Sequence, residues 1–178
     1  MTNTHVHSAL AATETEKGLH AAFADESVSH MKYRLYADAA RRSGNEALAR
    51  ALEEVASHEV EHAGLLLEYL DGISDDATNL DSLIASEDYA ATVLYPDLAD
   101  VASSEGFSEL FDKLHCISVA EARHSSVLTD IRDRLASTPV IPTPPLVCPV
   151  CGYLHTSGDL PDRCPLCSRK STNFVPVG

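Results

Sequence analysis

Four stretches of this sequence repeat apolar residues at helical spacing, and in each an acid stands inside the apolar stripe. Glu26 follows Leu19 and Phe23 and precedes Tyr33; Glu87 follows Leu80 and Ile84 and precedes Leu94. Glu59 and His62, three apart and so on one helix face, lie between Val55 and Leu66. Glu121 and His124 repeat that pair between Ile117 and Leu128. A carboxylate on a buried face is costly unless it is paired or bound to metal. The chain therefore folds compactly only if something neutralises these acids together.

The spacing predicts helices over about 14–43, from Asn45 to Leu70, from Asn79 to Val101, and over 107–136, with Gly44, Asp71-Gly72 and "SSEG" as the stops. Pro96 falls inside the third and is expected to kink it. Residues 1–136 then form one helical domain. "STPVIPTPPL" has four prolines in ten residues and cannot be helical. Residues 137–147 read as an extended linker, and 148–178 as a small separate module.

The net charge of −14 argues against binding nucleic acid or an anionic membrane. No apolar run approaches the roughly 18–20 residues of a membrane span, and the N-terminus lacks the basic start and apolar stretch of a signal peptide. The expected compartment is the cytoplasm. Cysteines there are poor disulfide material. Cys116 is expected to be a small buried residue of the fourth helix.

One Glu-x-x-His pair would mean little. The order Glu, Glu-x-x-His, Glu, Glu-x-x-His on four stripes is the pattern of a carboxylate-bridged di-metal site inside a four-helix bundle. Four carboxylates balance two divalent ions and two imidazoles give each ion a nitrogen, a donor set that suits iron or manganese. Cys148, Cys151, Cys164 and Cys167 form C-x2-C-x12-C-x2-C, the spacing of a tetrahedral four-thiolate site that iron or zinc could fill. A module of 31 residues needs such a staple. An electron supply through that module makes iron the choice for both sites.

From about residue 19 to the end the chain resembles a rubrerythrin. "AFADES" around Glu26, "EVEHA" at 59–63, "LYPDLA" at 94–99 and "AEARH" at 120–124 resemble that family's four helix motifs, and "CPVCGY" and "CPLC" resemble rubredoxin knuckles. The resemblance implies an all-α, ferritin-like four-helix bundle with a small C-terminal rubredoxin-like domain. It implies a non-haem di-iron centre held by Glu26, Glu59, His62, Glu87, Glu121 and His124, with Tyr33 and Tyr95 beside it and hydrogen-bonded to ligand carboxylates. It also implies one rubredoxin-type iron on the four cysteines, with zinc as a substitute.

The expected activity is reduction of hydrogen peroxide to water in oxidative-stress defence, with electrons from an unidentified reductase entering through the thiolate iron. One position departs from the family pattern. "EDYA" puts Ala90 where rubrerythrins carry a further Glu, and Asp88 points about 100° further round the helix. The second reading is therefore a ferroxidase that oxidises Fe(II) at the same six ligands; a zinc-stapled structural protein with a vestigial site is the third.

A homodimer or higher homo-oligomer is expected for two reasons of reach. The linker's length favours a neighbouring subunit's cluster as the recipient of the electrons. The short hinge between the second and third helices makes exchange of helix pairs between chains an alternative to a crossover. His30, one turn from Glu26, carries no assigned role, and His58 and Glu61 are expected in solvent.

Overall fold

The computed structural model describes residues 9–137, 146–149, 152–155, 158–165 and 168–176. The chain divides into two compact units, before and after the Ser74–Asp75 bond. The first is a helical hairpin of α1 (Glu14–Arg42) and α2 (Glu46–Tyr69). Thr13 caps α1 by accepting from the Glu16 N–H, and Asn45 caps α2 by accepting from the Leu48 N–H. Between them Gly44 takes a left-handed φ of 81°, and so short a turn forces the helices antiparallel. Ala37, Ala40 and Ala49, with Leu52 against them, form a core of small side chains near the turn.

The second unit opens with α3 (Asp76–Tyr89), a π-helical turn at Ala90–Leu94, α4 (Tyr95–Ser104) and α5 (Ser108–Ser137). α3 begins earlier than the Asn79 start expected from spacing, because Asp75 supplies the cap by accepting from the Thr78 N–H. Pro96 does not simply kink the helix. It cannot donate to a carbonyl one turn back, and the chain absorbs the defect as a π-turn in which the Tyr95 N–H reaches five residues back to Ala90.

That π-turn leaves a one-residue signature when the units are compared internally. Tyr33, Ala37 and Ala40 follow Glu26 by 7, 11 and 14 residues, whereas Tyr95, Ala99 and Ala102 follow Glu87 by 8, 12 and 15. The facing helices carry no such offset. Ala49 and Leu52 precede Glu59 by 10 and 7, just as Phe111 and Leu114 precede Glu121. Ala99, Ala102 and Leu114, with Tyr95 and Phe111, form the second unit's core. Each unit is thus one copy of the same helix-pair plan, and the second copy carries an inserted residue.

Cys116 is exposed, contrary to expectation. It stands two residues, about 200°, beyond the buried Leu114 and so faces away from that core. The chain after α5 forms a three-stranded antiparallel sheet in the order β2-β1-β3, with β1 at Leu146–Val147, β2 at Leu154–His155 and β3 at Val175–Pro176. Cys148, Cys164 and Tyr153 are buried beneath it with Phe174. Cys151, Cys167 and most of the expected linker, 138–145, lie outside the described residues, as do 1–8 and 177–178.

Candidate di-metal centre

Each helix pair brings one acid from its first helix onto the Glu-x-x-His face of its second. In the first unit the His62 Nδ1 lies 3.3 Å from Glu59 and 3.6 Å from Glu26. In the second the His124 Nδ1 lies 2.9 Å from Glu121 and 3.7 Å from Glu87. Within each triad one donor atom from every residue falls within 4.8 Å of the others, the span of a single ion's coordination sphere. The same imidazole nitrogen faces the carboxylates in both.

The electrostatics report crowded acids. A hydrogen bond with Glu59 holds the Glu26 carboxyl above its ordinary value, with burial and the Glu59 charge adding to it. Glu59, accepting that proton, is lowered. Glu87 is raised chiefly by burial, then by its hydrogen bond and repulsion with Glu121. A divalent ion bound by such acids would compete with protons for their oxygens and relieve their mutual repulsion. The donor set is oxygen-rich with one imidazole per triad, which suits iron or manganese.

One hydrogen bond ties the two helices together a turn away from each triad. In the first unit the His30 Nδ1 donates to the Ala56 carbonyl at 2.8 Å. In the second the Ser118 hydroxyl donates to the Ala91 carbonyl, also at 2.8 Å. His30 and Ala91 each follow their glutamate by four, while Ala56 and Ser118 each precede theirs by three. The same two positions are joined, with the donor moved to the opposite helix. Only this internal comparison gives His30 a role.

Among the described residues no hydrogen bond joins Tyr33 or Tyr95 to a ligand carboxylate. Tyr95 packs on the Ala99–Ala102–Leu114 core instead. Asp88 accepts from the Ser125 hydroxyl of α5, which ties its carboxylate to the neighbouring helix. His58 and Glu61 are exposed, as expected.

The cysteine module sits on the second triad of its own chain. A Cβ placed on Gly152 would lie 3.2 Å from the His124 Nε2, the nitrogen turned away from the carboxylates. Arg123, next to His124, stacks 4.9 Å above the Tyr153 ring, and its guanidinium reaches the Tyr153 hydroxyl at 3.4 Å. The two knuckles are built alike. The Gly152 and Ser168 amides donate to the carbonyls of Cys148 and Cys164, whose own amides donate to Tyr153 and Arg169. Gly152 and Ser168 accordingly share a left-handed backbone.

The rubrerythrin profile matches residues 17–131, and the profile of the rubrerythrin rubredoxin-like domain matches 147–175. The chain belongs to the rubrerythrin family. Its relatives include the rubrerythrin of Porphyromonas gingivalis, 30% identical across 98% of this chain and 95% of the relative. The nigerythrin of Nitratidesulfovibrio vulgaris is 31% identical over 94% and 89%. A solved nigerythrin in a mixed-valence state superposes with a TM-score of 0.53, at 29% identity, over 93% of this chain and 88% of that one. The fold is thus ferritin-like with a C-terminal rubredoxin-like domain. Family membership implies a di-iron centre and a rubredoxin-like iron site, and the two Glu-Glu-His triads fit the first. No helix among the described residues is long and apolar enough to cross a membrane.

Proposed function

We propose that this rubrerythrin-family chain is a peroxidase that reduces hydrogen peroxide to two waters, using two electrons and two protons. The observation that carries the reading is the pair of equivalent triads, one of them touched by the cysteine module. When bound, a pair of ferrous ions supplies the two electrons that cleave the O–O bond.

The chain's residues hold and neutralise that pair. Glu26, Glu59 and His62 would hold one part of the centre and Glu87, Glu121 and His124 the other, with Glu59 and Glu121 standing closest to the imidazoles and His62 and His124 each offering one Nδ1. Glu26, held above its ordinary value by its hydrogen bond with Glu59, would be bound as the carboxylate, so ion binding there would compete with protons. Cys148, Cys151, Cys164 and Cys167 would hold a four-thiolate iron, which would supply one-electron redox chemistry fed by an external reductase; zinc in its place would supply none. Gly152 brings the first knuckle's backbone against the His124 Nε2, so the cysteine module touches a residue that would bind the di-metal centre.

A second reading is favoured by Ala90. Ala90, three residues after Glu87, brings no carboxylate to the start of the π-turn, so the six Glu and His residues would be the centre's whole protein ligand set. A ferroxidase that oxidises Fe(II) at those six ligands needs no more. Rapid mixing of the iron-loaded, anaerobically reduced protein with H2O2 or O2, following both iron chromophores, separates the two. Fast oxidation by peroxide with participation of the thiolate band supports the peroxidase. Preference for O2, with turnover of added Fe(II) and a silent thiolate band, supports the ferroxidase.

A further inference from the structure

The cysteine module differs in charge from the helices it is joined to. Residues 148–178 carry three bases, Arg163, Arg169 and Lys170, against two acids, Asp159 and Asp162. The rest of the chain has ten bases and twenty-five acids. A slightly basic module thus ends a strongly acidic chain, and all three of its bases fall within eight residues. They bracket the second knuckle: Arg163 precedes Cys164, and Arg169 and Lys170 follow Ser168. All four of Arg163, Ser168, Arg169 and Lys170 are exposed.

Among the described residues no carboxylate pairs with any of these three bases, whereas Arg41 and Arg132 of the helices are each held by two or more acids. Arg163 and Lys170 also face each other across an antiparallel bridge. Side chains at directly opposed positions project to the same side, and like charges there repel. Arg163 is braced in place, its Nη1 donating to the Ser168 carbonyl at 3.0 Å. The repulsion is therefore built into the second knuckle, and an anionic surface laid against it relieves it.

The two knuckles share a backbone and differ in what surrounds them. The first lies against α5, where a Cβ on Gly152 would come within 3.2 Å of the His124 Nε2. The second presents its bases to solvent. We propose that the second knuckle, with Arg163, Arg169 and Lys170, is the docking surface for an acidic electron-donor protein. The proposal rests on the peroxidase reading, in which an external reductase feeds the module. One electron leaves the reduced donor and converts the thiolate-bound Fe(III) to Fe(II); no bond is made and no proton moves. The acidic helices repel such a donor and the module attracts it, so encounter is steered to the part of the chain that holds the thiolate site.

Flavodoxin, a small acidic flavin protein that donates one electron, is the probe. Its binding is measured by titration calorimetry with redox-inert zinc in the four-thiolate site, so that association alone is read. The native chain is expected to bind it at low ionic strength and to lose that binding in about 0.5 M salt, where charges are screened within a few ångströms. Arg169→Glu combined with Lys170→Glu is expected to weaken binding by about tenfold and to leave the melting temperature where it was, because both side chains are exposed. Arg163 stays, since it braces the knuckle. Failure of the native chain to bind, or binding indifferent to the charge reversal, overturns the proposal. A reversal that changes the oligomeric state in sedimentation assigns the patch to a second copy of the chain and overturns it too.

Two small reductants give a readout independent of the donor's shape: reduced methyl viologen, a cation, and reduced propyl viologen sulfonate, an anion. With iron in the four-thiolate site, the reversal is expected to slow bleaching of the thiolate band by the anion severalfold and to hasten it by the cation. Equal effects on the two overturn the docking surface. Binding and bleaching that respond as expected, in a protein that consumes no H2O2 when flavodoxin reduces it, leave the docking surface standing and sink the peroxidase reading.

Discussion

Gly152 and Ser168 hold the same place in the two knuckles, with φ of 75° and 59°, yet their surroundings differ because only Gly152 faces His124. An L-residue in this conformation costs roughly 1–2 kcal/mol. Ser168→Gly is therefore expected to stabilise the module by about 1 kcal/mol, and Gly152→Ala to destabilise it by at least as much while pushing it from α5, both read by thermal denaturation of the metal-loaded protein. Titration also acts at this scale. Glu87 has its carboxyl raised in the fold from an ordinary 4.5. Between 4.5 and that raised value the folded metal-free chain holds more protons than the unfolded one, so this group's contribution to stability falls as pH rises. Glu59, lowered, acts oppositely: its contribution is present above 4.5 and lost as pH falls through its folded value. Glu87→Gln should flatten the decline of apo-protein melting temperature on the alkaline side of 4.5; an unchanged slope would mean burial of Glu87 is not its cause.

The π-turn is the element that sets the second triad apart from the first. It rotates everything before Ala90 relative to everything after Leu94 by one residue, about 100°. Deleting Val93 restores an uninterrupted α-helix and places Pro96 in its interior, where the missing hydrogen bond and ring clash cost about 3 kcal/mol. The deletion is expected to lower the melting temperature and to abolish ion binding at Glu87, Glu121 and His124, with the first triad's ligands untouched; metal titration of the deletion variant checks it. The interhelical hydrogen bonds work at the same level. Loss of His30 or Ser118 removes the cross-helix donor from one carbonyl of the facing helix, a cost of about 0.5–1.5 kcal/mol. Ser118→Ala and His30→Ala should therefore lower stability by comparable amounts, as the shared register demands.

Across the whole molecule, metal and fold are linked. Ions that bind only the assembled centre stabilise it by mass action, about 2.7 kcal/mol at one hundred times the dissociation constant. Chelation is expected to lower the melting temperature of the metal-loaded protein, read by thermal denaturation with and without chelator. Arg123, beside His124, links the second triad's helix to the cysteine module through Tyr153. Arg123→Ala is expected to slow re-reduction of the di-iron centre by the thiolate iron severalfold while leaving Mn2+ binding at the triads unchanged. Stopped-flow absorbance with a metal titration separates those readouts, and equal loss of both would assign Arg123 to folding alone.

The sequence by itself determined the helix faces and the chemistry placed on them. Period and residue type are local properties, so Glu26, Glu59, His62, Glu87, Glu121 and His124 could be assigned to stripes, and each triad forms where those stripes meet. The caps at Asn45 and Gly44 were equally local. What escaped it depended on contacts across elements. The π-turn is a compromise between Pro96 and the packing of Ala99 and Ala102 on α5, and no window of sequence contains both sides. Cys116 was misplaced because the stripe of α5 is narrower than its apolar content implies. His30 acquired its role from a carbonyl on another helix, and Gly152 from an imidazole 28 residues earlier. Tertiary structure alone decided these, because a hydrogen bond or a close approach is fixed by where two backbones come to rest, and a local sequence pattern determines only one of them at a time.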